Sequence, residues 1–256
     1  MDGKQSFWDH LDELRAGLLR VAAVLLVSTI GLFAFMPRLF DQLILAPTRE
    51  DFLLYRLLAS WTGEGTIFGS KPFAIELINI HVASQFTTHI STSFYAALIV
   101  TCPYLLYELW RFIRPALYEH ERGAIRTAFG CGTALFFIGC VVGYLVIFPL
   151  TFRFLAQYSL SEAIATQIAL QSYMNNFLGI ILTMGLAFEL PLVVWLLARM
   201  GLISRTQLQC GRRYVVVALL IAAALITPSG DPFSLAVVFT PLYLLYELGI
   251  AFTPKN

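Results

Sequence analysis

Charge is scarce in this chain of 256 residues: only 13% are Asp, Glu, Lys or Arg. Soluble domains carry about 25%, so that class is excluded. Disorder is excluded too, because 58% of residues are hydrophobic and the formal net charge is only +1. That near-zero balance supplies no basic field for nucleic acid. Cysteine is also sparse. Cys102, Cys131, Cys140 and Cys210 form no C-x-x-C pair, and His10, His81, His89 and His120 are not spaced to join them. A disulfide framework, a zinc site or any other cofactor is therefore not expected. The chain has no H-E-x-x-H, no G-x-S-x-G and no paired intramembrane aspartates, so a non-enzymatic protein is expected. No internal repeat appears, which weighs against an inverted-repeat transporter.

The chain does have recurring apolar runs between Leu18 and Phe252. A bilayer core of about 30 Å takes roughly 20 helical residues. Six spans fit, at about 17–36, 86–108, 127–149, 173–198, 214–227 and 233–252. The first is read as a retained span and not a cleaved signal. Its leading segment holds Asp2, Asp9, Asp12 and Glu13, and it ends at Met36-Pro37-Arg38 without a small-x-small site. The fifth offers only Tyr214 to Thr227, about 21 Å of helix. The sixth contains Pro241 and Glu247. The last two spans are thus short, and local bilayer thinning is expected around them. The fold class is an all-α membrane protein of six transmembrane helices.

Arg111, Arg114, Arg122 and Arg126 cluster in the second connection (109–126), and Arg199, Arg205, Arg212 and Arg213 in the fourth (199–213). The third holds Arg153 alone. The positive-inside rule then puts these two connections and both termini in the cytoplasm. The long first connection, 37–85, falls outside. Within it, Thr48 reads as an N-cap with Asp51 three residues on. Phe52, Leu53, Tyr55, Leu57 and Leu58 supply an apolar face expected to lie on the membrane surface. Ala74 to Val82, rich in β-branched residues, is expected to be extended.

Two acidic elements fall on the proposed cytoplasmic side. Phe7, Leu11, Leu14 and Leu18 form a helical stripe, with Asp9, Asp12 and Glu13 off it. By pattern alone this is an interfacial helix leading into the first span. Acids are an odd choice beside anionic head groups, however, and suit a cationic partner. The second element, from Pro103 to Arg122, carries Glu108, Glu119 and Glu121 among interfacial aromatics. These acids have arginine neighbours that could pair with them. Two separated acids on one face also suit a ligand with two guanidinium groups, which bind carboxylates bidentately where lysine cannot.

Ser6-Phe7-x-x-His10-Leu11-x-Glu13-Leu14-Arg15 resembles the N-terminal signature of the TatC family, the polytopic subunit of twin-arginine protein translocases. Trp110-x-Phe112-Ile113-x-Pro115-Ala116-Leu117-Tyr118-x-His120-Glu121-Arg122 resembles the family's first cytoplasmic loop. Further matches are Ala187-Phe188-Glu189-Leu190-Pro191, Thr227-Pro228 followed by Asp231, and Pro241-Leu-Tyr-Leu-Leu-Tyr-Glu-Leu-Gly249. They run in the family's order from residue 6 to about 250.

The resemblance implies a glove-like, concave six-span subunit in the bacterial cytoplasmic membrane. It would recognise the Arg-Arg motif of signal peptides on folded cargo and act in an oligomeric receptor complex with small single-span subunits and membrane lipids. Export would draw on the proton-motive force. By motif position, Glu13 and Glu121 would take the paired arginines, with Arg15, Phe112, Leu117, Pro103 and Glu108 shaping that site. The family often has Gln where Glu108 stands. Pro47 and Asp231 match structural or coupling positions, and Leu225 and Thr227 would meet a partner helix.

Glu189 stands in the middle of the fourth span. Charged side chains at a helix centre cost about 2.5–3.5 kcal/mol on translocon scales. It is expected to face a polar or wet concavity, or else to hydrogen-bond across the bundle to Thr133 or Thr183. The second functional reading, a proton-coupled small-solute transporter, rests on this one acid.

Overall fold

The computed structural model describes residues 7–49, 51–62, 77–113, 122–158, 161, 167–227 and 230–253. Among them, six apolar helical segments are long enough to cross a membrane: Leu11–Leu57, Ser84–Phe112, Phe129–Gln157, Leu170–Arg199, Arg205–Ile226 and Pro232–Phe252. The acidic segment and first apolar run form one uninterrupted helix, α1 (Phe7–Leu39). The helices α2 (Leu53–Thr62), α3 (Ser84–Ile113), α4 (Arg122–Val142) and α5 (Phe148–Gln157) follow. Then come α6 (Leu170–Ala187), α7 (Leu190–Arg199), α8 (Arg205–Ile226) and α9 (Pro232–Phe252).

The helices form an open row. α1 packs along α3, α4 along α6, α7 along α9, and α8 along α9. α1 and α8 stand at opposite ends of that row. Leu18, Leu19, Leu26, Val27 and Ile30 of α1, and Val217, Ile221 and Leu225 of α8, are exposed. Such a face is stable only against lipid or another helix.

The middle of the row is tight because glycines let backbones approach. A β-carbon at Gly139 of α4 would lie 2.6 Å from the Met184 carbonyl oxygen and 2.8 Å from the Phe188 side chain. Gly185 of α6 would similarly meet Cys140 Sγ at 2.7 Å. The fourth span then breaks at Phe188-Glu189, between α6 and α7. Pro191, in the first turn of α7, has no N–H to give the carbonyl four residues back, which favours a kink at this point. α7 ends on Gly201 at φ 71°. There Leu202 N–H bonds to the Leu197 carbonyl and Gly201 N–H to that of Ala198, closing the open turn.

α8 starts at a capping box between Ser204 and Gln207, and α9 starts at Asp231, whose carboxylate accepts from Ser234 N–H at 2.7 Å. The two are 22 and 21 residues long, the shortest of the six spanning segments. α8 begins nine positions before the apolar stretch that starts at Tyr214, so Arg212 and Arg213 lie within the helix. Arg212 pairs with Glu247 of α9 at 2.7 Å, and Tyr243 donates to the same carboxylate at 3.0 Å.

At the opposite end from Glu13, aromatic residues build a cap. Phe148, Phe152, Tyr173 and Phe177 interlock, with neighbouring centroids 5.0–5.9 Å apart. Tyr173 donates to the Ile44 carbonyl and Tyr144 to that of Leu43, which fastens the π-helical turn Phe40–Ile44 onto the bundle. Two short parallel strands, β1 (Leu77–Ile78) and β2 (Ile168–Ala169), pair the first and third connections.

Four expectations change here. Thr48 does not cap a helix: it ends the 3-10 turn Ala46–Thr48, its hydroxyl is turned back onto the Leu45 carbonyl, and α2 starts at Leu53. α2 divides its apolar face, with Leu53 and Leu57 exposed and Phe52 and Tyr55 buried in the protein. Arg153 is not a loop residue. It lies on α5, only 4% exposed, with its guanidinium 4.6 Å from the Tyr55 ring centroid. Of the expected extended segment Ala74 to Val82, only Leu77 and Ile78 form a strand, while 74–76 lie outside the described residues.

Candidate functional site

α1 and α3 run side by side, which brings the start of α1 beside the end of α3. Four charged residues from the two helices meet there. Glu108, 8% exposed, receives both Arg20 Nε at 2.9 Å and Arg20 Nη2 at 2.8 Å. Tyr104, one turn earlier on α3, donates to the same carboxylate at 2.9 Å. This bidentate, charge-assisted pair leaves Glu108 little capacity for an incoming ligand. Gly17 stands opposite. A β-carbon there would lie 3.5 Å from Glu108 Oε2.

Glu13 is different. Its carboxylate lies 4.0 Å from Arg111 Nε, and its side chain is 31% exposed. At that distance the contact is a loose ion pair and not a hydrogen bond. A water-accessible carboxylate with a weakly held guanidinium neighbour can exchange it for another guanidinium. Arg15 is exposed, and Phe112 is partly buried at the end of α3. Pro103 lies inside α3, which continues through it. Tyr104, Tyr107 and Trp110 form an aromatic ladder along that helix, with centroids 6.3 and 6.0 Å apart. Leu117 and Glu121 lie outside the described residues.

The second candidate is Glu189, at the break between α6 and α7. Both carboxyl oxygens are shut off from solvent and have no hydrogen-bond partner among the described residues. The expected bonds to Thr133 and Thr183 do not form. Thr133 donates to the Phe129 carbonyl and Thr183 to those of Gly179 and Ile180, each within its own helix. Instead, the carboxyl sits against the backbone of α4 at Gly132, where a β-carbon would lie 2.9 Å from Glu189 Oε2. An ionised carboxylate without a partner is costly to hold in such surroundings.

Sequence reasoning missed Arg20 and Gly132. Arg20 had a visible signal, since it is the one basic residue within the first apolar run before Arg38. Gly132 had none, because its role depends on which helix faces it. Of the remaining candidates, Pro47 is buried, and its carbonyl accepts from Tyr55 at 3.0 Å. Thr227 is only 2% exposed, with its hydroxyl bonded to the Ala223 carbonyl, whereas Leu225 is 81% exposed on α8.

The family model described as Sec-independent protein translocase protein (TatC) matches residues 9–241. The chain belongs to the TatC family. Among its TatC relatives is the Sec-independent protein translocase protein TatC of Blattabacterium, 33% identical, with 95% of this chain and 93% of that protein covered. The corresponding TatC of Escherichia coli K12 is 32% identical over 99% of this chain and 90% of its own. A crystal structure of a twin-arginine translocase receptor TatC in the detergent DDM superposes with a TM-score of 0.79, at 28% identity. That match covers 96% of this chain and 99% of the other. TatC membership and six apolar helices make this a multi-pass membrane protein of a protein translocase, which leaves the small-solute transporter reading without support.

Proposed function

We propose that this TatC protein is the receptor subunit that binds the Arg-Arg motif of signal peptides on folded cargo. Glu13 and Glu121 take the two guanidinium groups, and Phe112, Leu117, Arg15 and the Pro103 region shape the site. The observation that carries the reading is the state of Glu13, a carboxylate on the bundle rim that keeps a guanidinium only loosely. Glu108, held by Arg20 and Tyr104, serves this site by locking α1 against α3. Both termini and the Glu13 rim face the cytoplasm of a bacterial inner membrane, as the basic second and fourth connections require. Small single-span subunits join the complex along the exposed face of α8 that includes Leu225. Glu189 serves transport and not peptide capture, since it lies away from the rim and has no partner of its own among the described residues.

The test is binding of an Arg-Arg signal peptide to the detergent-purified protein. Glu13→Lys or Glu121→Lys abolishes binding, and a Lys-Lys peptide binds wild type poorly. Unchanged binding in both variants overturns the site assignment.

A further inference from the structure

Two cavities flank Met36 at the end of the bundle away from Glu13. The first is an apolar trough of about 320 Å³. It lies between α1, α3, α4 and α6, with Leu39, Ile44, Ala96, Ile99, Phe177 and Ile181 in its walls. Thr92 and Tyr144 also line it, but Thr92 turns its hydroxyl onto the Thr88 carbonyl and Tyr144 onto that of Leu43. Its rim residues Leu43, Phe137 and Val141 are exposed, so the trough opens toward the lipid. The second is a mixed chamber of about 380 Å³, with Asp41, Gln85, Thr88 and His89 among apolar walls of Met36, Pro37, Phe40 and Leu170. Each volume falls in the roughly 300–1,000 Å³ range of ligand sites.

The polar part of the chamber is not satisfied. Thr88 is only 4% exposed, yet its hydroxyl has no hydrogen-bond partner among the described residues. Asp41 forms no ion pair among the described residues, and Arg49 donates to its backbone carbonyl instead of its carboxylate. His89 stacks on Phe33, with its Nε2 2.9 Å from the Phe33 carbonyl. Nε2 must therefore donate, which leaves Nδ1 of the neutral ring as an acceptor. Gln85 lies in the first turn of α3, where the helix dipole favours an anion, although the N–H groups of Ser84 and Thr87 are already bonded to the His81 and Ala83 carbonyls. The chamber thus combines donors suited to a phosphate with acceptors suited to an ammonium group.

We propose that the two cavities form one site for a phospholipid whose head group carries a primary ammonium. One acyl chain fills the trough. The phosphate lies toward Gln85 and Thr88, and the ammonium toward Asp41 and His89. A quaternary ammonium has no N–H to give Asp41, and a glycerol head group has no positive charge. The site therefore selects by head group as well as by chain. This proposal does not depend on the peptide site or on the orientation across the membrane.

Native mass spectrometry of the purified chain tests it, after exchange into equimolar phosphatidylethanolamine, phosphatidylcholine and phosphatidylglycerol. One ethanolamine lipid is retained per chain, favoured about tenfold over the other two. Asp41→Asn removes that preference while a lipid is still retained. Ala96→Phe, or Leu43→Trp on the exposed rim if the first variant does not fold, lowers retention of all three. Equal retention by wild type overturns the proposal, as does a preference that survives Asp41→Asn. Retention unchanged by filling the trough overturns it too.

Discussion

The two ends of this bundle are built by opposite means. The cap around Phe148 and Tyr173 is dry and interlocked, and even its arginine, Arg153, is buried against an aromatic ring. The rim around Glu13 is charged and half open, and its contacts range from the tight Arg20–Glu108 pair to the loose Glu13–Arg111 pair. Buried aromatics supply stability that water cannot replace. Exposed ion pairs supply little stability and can be exchanged for a ligand's charge. One end fixes the helices so that the other can afford to be exchangeable.

Substitutions should separate the two ends in order of effect. Phe148→Ala removes a side chain with 0% exposure and should cost roughly 3–5 kcal/mol, read as thermal unfolding in detergent. Tyr173→Phe keeps the ring and strands the Ile44 carbonyl, for a loss of about 1 kcal/mol in the same assay. Glu108→Gln keeps an acceptor for Arg20 and Tyr104 but loses the charge, and should lower the melting temperature by about 2–4 °C. Arg111→Ala should leave stability within about 0.5 kcal/mol and tighten binding of an Arg-Arg peptide, because it removes the internal competitor for Glu13. Weakened binding in Arg111→Ala would make Arg111 a residue that positions Glu13. A rim variant as destabilising as Phe148→Ala would erase the contrast.

The six spans were legible because bilayer thickness imposes a length on apolar runs, which every run but that from Tyr214 to Thr227 meets. Glu13 was legible because an acid beside a membrane needs a reason. The Arg20–Glu108 pair was not, since its members are separated by 88 positions and only the packing of α1 on α3 joins them. Arg153 was misplaced because an arginine after an apolar run resembles a loop, although its neighbours Phe152 and Phe154 hinted at burial. Thr48 had the pattern of an N-cap, but the 3-10 turn at Pro47 had already consumed it. Glu189 was recognised as costly, yet its resting place on Gly132 depends on the kink at Pro191 and on which face of α4 lies opposite.

The pairing of Leu77 with Ile168 has a consequence in time. The strand from the first connection pairs only with residues made once residue 168 is reached, 91 positions later by subtraction of the two numbers. At about 5–20 residues per second, that wait is roughly 5–18 s. During it, α3 and α4 are themselves being made while the first connection stays unfastened. The cap therefore closes as a late, long-range step of biogenesis. A newly made chain stays adjustable at this end until its third connection has been made.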